Sequence, residues 1–190
     1  MNVHRILQSV EAVEALDGPA DRSAAVAGRL VGSGRFASLV RGSWLGHPVH
    51  PLLVMLPLGA WISSAVFDVG FGDRTAARRL VGLGLVATPP AIIAGWADYA
   101  LLTKRQRRVG IVHAASNAIG VAFFALSYRA RRRERHRTAT WLSVLGLLTV
   151  GVGGALGGHL SYAQGAGMYR WQTARAIGHL ELAERARAAA

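Results

Sequence analysis

"GHPVHPLLVMLPLGAWISSAVFDVG", residues 46–70, contains an apolar run from Pro48 to Val69 in which the first charge is Asp68. A helix that crosses a bilayer takes about 20 mostly apolar residues, and this run is long enough. His47 and His50 stand at its start, each followed by proline. Proline in the first helical turn is ordinary, because the amide it lacks would have no partner there. Nothing in helix initiation asks for the two histidines, so their surroundings become the question.

Three further blocks share this character: "LVGLGLVATPPAIIAGWADYALL" at 80–102, "VGIVHAASNAIGVAFFALSY" at 109–128 and "WLSVLGLLTVGVGGALGGHLSYA" at 141–163. With the first span at about 48–69, they predict an all-α integral membrane four-helix bundle over residues 44–168. Their glycines and prolines are normal for membrane helices, and Pro57, Pro89 and Pro90 predict kinks. Residues 1–43 read as amphipathic helices at the membrane surface or on a partner. There Val3, Ile6, Leu7, Val10 and Val13 follow helical spacing, with Arg5, Glu11 and Glu14 on other faces. "DGPAD" at 17–21 predicts a break between two such helices. Residues 169–190 read as a helical tail, with Glu181 and Arg185 one turn apart. No apolar core of a cleavable signal peptide is expected in the first 40 residues.

The chain has 190 residues, is 52% hydrophobic and carries a formal charge of +12, from 21 arginines, one lysine and 10 acidic residues. The arginines cluster between the apolar blocks, where they meet lipid headgroups, and no nucleic-acid-binding motif accompanies them. The bilayer is therefore the expected partner, and nucleic acid is not. Without cysteine, disulfides, thiolate zinc sites and cysteine-ligated iron–sulfur clusters are excluded. Four spans put both termini on one side, here the near side. The far-side loops 70–79 and 129–139 hold nine arginines, and the near side holds eight basic residues next to the spans. The positive-inside rule is thus tied, and the missing export signal tilts the termini towards the cytoplasm of a bacterial cell. Trp44, Trp61, Trp96, Tyr99, Tyr128, Trp141, Tyr162 and Trp171 read mostly as interfacial belt residues, and Asp68 as a partner of Arg78 or Arg79.

This topology gathers polar residues at the near side. His47 and His50 begin helix one, Asp98 lies near the end of helix two, and His113 and Asn117 lie one turn apart in helix three. His159 lies about four residues from the end of helix four, and so about 6 Å below it. Ionisable residues in spans face partners, cavities or functional paths. Paired imidazoles on facing helices are the usual axial ligands of haem b in a bundle, and His113 and His159 form the best such pair. Gly154 and Gly158 would leave room for the macrocycle or, equally, allow close helix packing. His47, His50, Asp98, His113 and His159 could alternatively hold a transition metal directly, or relay protons.

The blocks "LGHPVHPLLVMLPLGAW", "AGWADY", "QRRVGIVHAASN" and "LGGHLSYAQGAGM" resemble an uncharacterised bacterial four-helix membrane family, common in actinobacteria, with HPxHP and GGHLSYxxGxG motifs. The resemblance covers roughly residues 44–168, and "EALDGPAD" resembles members fused to a Rieske-type iron–sulfur domain. It implies a redox setting with a separate redox protein as partner, and it brings no established activity. Two functions follow as expectations: a redox component with a His-rich haem b or metal site, or a non-catalytic membrane scaffold or subunit with a structural His/Asp network. Oligomeric state is not readable from the sequence.

Overall fold

In a computed structural model of the chain, residues 3–168, 170 and 171 are described. Three short helices come first: α1 (Val3–Glu11), α2 (Asp17–Val31) and α3 (Arg35–Arg41). Four long ones follow: α4 (His50–Ala65), α5 (Arg74–Tyr99), α6 (Lys104–Arg132) and α7 (His136–Gly158). Wide helical turns extend α4 over Val66–Gly70 and α7 over His159–Ala163. The four long helices are each long and apolar enough to cross a membrane, and the described residues form no strand.

The helices outrun the expected spans at their charged ends. Arg74–Arg79 belongs to α5 and Arg129–Arg132 to α6, leaving short connections at 71–73, 100–103 and 133–135. Local chemistry accounts for the starts. Asp73 caps α5 by accepting from the amides of Thr75 and Ala76 at 3.1 and 2.8 Å. The Thr103 amide donates to Gln106 Oε1 at 3.0 Å where α6 begins. "DGPAD" opens α2 instead of separating two helices, because Gly18 and Pro19 fall in a first turn whose amides need no helical partner. Pro57, Pro89 and Pro90 all lie inside continuous helices.

Helix α4 packs along α5 and α6 along α7, and contacts between α5 and α6 and between α4 and α7 close the bundle. One core cluster joins Trp61, Val81, Phe124 and Val150 from all four helices. The Trp61 and Phe124 rings stack with centroids 4.1 Å apart, over a Gly84 that has no room for a side chain. Trp61 is therefore a core residue and not a belt anchor, while Trp44, Trp141 and Tyr162 are exposed as a belt requires. Outward faces stay apolar, with Met55, Val86 and Leu148 each more than 60% exposed. A surface of that kind is stable against lipid and costly against water.

The N-terminal helices dock on the bundle. Leu7 and Val10 of α1 and Ala24 of α2 pack with Tyr99, Leu102, Val109, Leu156 and Leu160 at the near end. The Tyr99 hydroxyl donates to Ala20 O at 3.1 Å. The surface these helices bind thus belongs to their own chain.

Candidate functional site

His50 is the first residue of α4, with Pro51 directly after it in the first turn. Its Nδ1 lies 2.8 Å from Ala91 O on α5, and a carbonyl only accepts, so Nδ1 carries the hydrogen. The ring rests on Gly95, where a Cβ would come within 2.9 Å of Cε1. His113 is bound in the same way across the bundle. Its Nδ1 donates to Gly153 O on α7 at 2.7 Å, and the ring rests on Gly157. Asn117 Nδ2 donates back to His113 O at 2.9 Å, and its carboxamide rests on Gly153. The His50 and His113 rings meet edge to face with centroids 6.3 Å apart, so this contact and the two carbonyl bonds link all four long helices.

His159 has a different partner. It sits in the wide turn that extends α7, where the Gln164 amide bonds back to His159 O over five residues. Such a turn rotates the side chains after it relative to a regular helix. His159 Nε2 lies 2.6 Å from Glu11 Oε1 on α1, with both side chains nearly buried. Arg105 closes on the same carboxylate at 2.9 Å. Burial pushes the Glu11 carboxyl up, but hydrogen bonds from His159 and Gln164 and the charge of Arg105 outweigh it and hold it below its ordinary value.

Asp98 pairs with Arg170 at 2.6 Å, while Arg41 Nε donates to the neighbouring Ala97 O at 3.2 Å. His47 is exposed, with Nδ1 3.0 Å from Pro48 O. The expected near-side layer of four histidines and Asp98 is therefore divided among separate partners. The structure brings together His50, His113 and Asn117, and turns His159 towards Glu11 and Asp98 towards Arg170. Among the described residues, no three His, Asp or Glu side chains are grouped to hold a metal ion.

Gly154 has open space around it, and Gly158 meets only Tyr162 at 4.0 Å. Neither makes room for a group beside His113; Gly153 and Gly157, one residue earlier, are the ones that face it. Glu11, Gly95, Gly153, Gly157 and Arg170 are partners whose contacts no motif in the sequence marks. For Glu11 a signal existed: it stands four residues after Leu7 and so shares the face of α1 that is buried, rather than lying on another face.

The basic residues of the two ends are treated differently. At the near end Lys104 and Arg108 pair with Asp17, Arg107 with Asp21 and Arg105 with Glu11. The Arg108 guanidinium grips both Asp17 oxygens, at 2.6 and 2.9 Å, and with Lys104 holds that carboxyl at about 2 against its desolvation. At the far end Asp68 pairs with Arg131 at 2.8 Å, not with Arg78 or Arg79. The wide turn after α4 carries Asp68 inward, where Thr140 Oγ1 also donates to it at 2.7 Å. The Asp68 and Arg131 side chains are only 5% and 2% exposed.

No curated protein and no solved structure matches the chain significantly. One family does match, over residues 46–170, which span all four long helices and His47, His50, His113 and His159. On that match the chain belongs to the family described as predicted membrane protein (DUF2231), a multi-pass protein of the lipid bilayer.

Proposed function

We propose that the chain is a membrane scaffold or subunit protein in which His50, Asp98, His113 and His159 act as polar ties between helices. One observation carries this reading: each of these side chains is directed at a different neighbouring element. His50 reaches Ala91 on α5, His113 reaches Gly153 on α7, His159 reaches Glu11 on α1, and Asp98 reaches Arg170 after α7. Such ties average about 0.6 kcal/mol each inside a membrane, enough in combination to choose one helix arrangement. Haem b held by His113 and His159 would need both imidazoles turned to one iron. With His159 Nε2 committed to a carboxylate and His113 pressed on Gly157, the side chains do not fit that group.

A second reading has its own support. His50 and His113 both give Nδ1–H to backbone carbonyls, which leaves Nε2 of each with the lone pair, and metal-bound imidazoles are commonly held so. A transition metal favouring imidazole, with redox coupling to a separate protein, would follow. Absorption spectra of the detergent-purified chain, oxidised and reduced, together with metal analysis, separate the readings. Colourless protein without stoichiometric metal, losing thermal stability in His50→Ala, His113→Ala and His159→Ala, is expected. A stoichiometric metal lost in the first two variants would replace the scaffold with the metal site. A Soret band lost in His113→Ala and His159→Ala would overturn both.

A further inference from the structure

The far end holds a cavity of about 620 Å³ between α5 and α6. Arg78, Arg79 and Arg132 form its outer rim, Tyr128 its wall, and Leu85 and Val86 its inner part. The Tyr128 ring packs over Gly82, where a Cβ would come within 3.1 Å of it. A second cavity of about 430 Å³ adjoins, sharing Tyr128 and Arg132 and adding Arg129 and Arg133.

Three observations define what fits. First, none of these five arginines has a carboxylate partner among the described residues, while Arg131 between them is consumed by Asp68. At the near end Lys104, Arg105, Arg107 and Arg108 are each paired with a carboxylate, and the exposed Arg22, Arg29 and Arg35 line neither of these cavities. Second, the lining changes from cationic to apolar along α5. Val86 lies seven or eight residues inward from the rim arginines, about 11 Å deeper, and is 77% exposed on the membrane-facing surface. Third, the rim lies at an end of two spans, the depth at which headgroup phosphates and interfacial tyrosines are found.

We infer that the α5–α6 cavity is a binding site for an anionic phospholipid. Its phosphate sits on Arg78, Arg79 and Arg132, and an acyl chain runs inward past Leu85 and Val86. Basic pockets between spans recognise such headgroups, and arginine grips phosphate oxygens in a bidentate manner. Because two cationic cavities meet at Tyr128 and Arg132, a lipid with two phosphates should outcompete one with a single phosphate. A free phosphate would use the rim and leave the apolar part unfilled.

The test is native mass spectrometry of the full chain in a zwitterionic detergent, titrated with cardiolipin and with phosphatidylglycerol. Each rim arginine contributes roughly fivefold in affinity, so Arg78→Gln/Arg79→Gln/Arg132→Gln should lose on the order of a hundredfold. The near-side triple Arg22→Gln/Arg29→Gln/Arg35→Gln removes equal charge from exposed positions and should leave binding within about threefold. Val86→Trp, which fills the apolar part, should weaken lipid while leaving any retention of inorganic pyrophosphate unchanged. If the far-side triple fails to fold by circular dichroism, the single substitutions, each expected to lose about fivefold, take its place. Equal losses in the two triples would mean diffuse charge attraction and overturn the site. So would full displacement of lipid by an equal concentration of pyrophosphate, or Val86→Trp binding cardiolipin as the unsubstituted chain does.

Discussion

Gly153 and Gly154 are neighbours on α7, and the same substitution should act oppositely at the two. Alanine is favoured over glycine in a helix by about 0.8–1.0 kcal/mol, and that gain applies to both positions. At Gly154 nothing lies within 4 Å of the added Cβ, so the gain stands alone. At Gly153 the Cβ would meet Asn117 Oδ1 at 2.5 Å and Cγ at 2.7 Å, closer than real contacts allow. Relieving such overpacking costs about 1–3 kcal/mol. Because the propensity gain is common to both, the two variants should differ by that amount, or about 2–12 °C in Tm for a chain of this size. Thermal unfolding in detergent, followed by circular dichroism, reads the difference. The double variant Gly153→Ala/Asn117→Ala adds a stricter check. Removing the carboxamide removes the collision, so Gly153→Ala should cost less in that background than alone. Equal effects of Gly153→Ala and Gly154→Ala, or additive behaviour with Asn117→Ala, would refute the assignment of this face of α7 to His113 and Asn117.

Asp68→Asn leaves the nearly buried Arg131 guanidinium without its counter-charge and should cost about 3–5 kcal/mol, visible as a lowered Tm. Arg78→Gln, outside that pair, should change Tm little. Acid should release the N-terminal helices before it unfolds the bundle. Asp17 is depressed from its ordinary 3.8 to about 2, and Glu11 is also held low, so their ties are complete above about pH 4.5. Stability from these ties falls as pH drops through the folded values, and hydrogen exchange across residues 5–31 should rise between pH 4 and 2 while that of α4 to α7 stays low.

Much of the site could be read along the chain, and what could not shares one cause. The four spans were legible because a bilayer imposes length and composition on each segment separately, with no knowledge of its neighbours. Topology alone also placed His47, His50, Asp98, His113 and His159 towards one end, since depth follows from counting residues along a helix. Rotation about the helix axis does not follow from counting. In "GVGGALGGH" both Gly153/Gly157 and Gly154/Gly158 are four residues apart, so either pair could have faced helix three. Asp68 shows the same limit: Arg78, Arg79 and Arg131 all lie near its level, and the wide turn over Val66–Gly70 directs it to Arg131.

The tie in basic residues between the two ends was likewise real as a count and uninformative as physics. Glu11, Asp17 and Asp21 lie far from Arg105, Arg108 and Arg107 along the chain, and only docking of α1 and α2 brings them into contact. That docking pairs Lys104, Arg105, Arg107 and Arg108 with carboxylates and leaves the rim of the α5–α6 cavity cationic. That this chain crosses a bilayer four times and carries His47, His50, His113 and His159 towards one face follows from its segments taken singly, because hydropathy and helical rise are properties of a segment. Which histidine meets which partner was decided by the tertiary structure alone. Side-chain direction depends on how each helix is rotated against the others, and that rotation is set by close contacts such as His113 on Gly157 and His50 on Gly95.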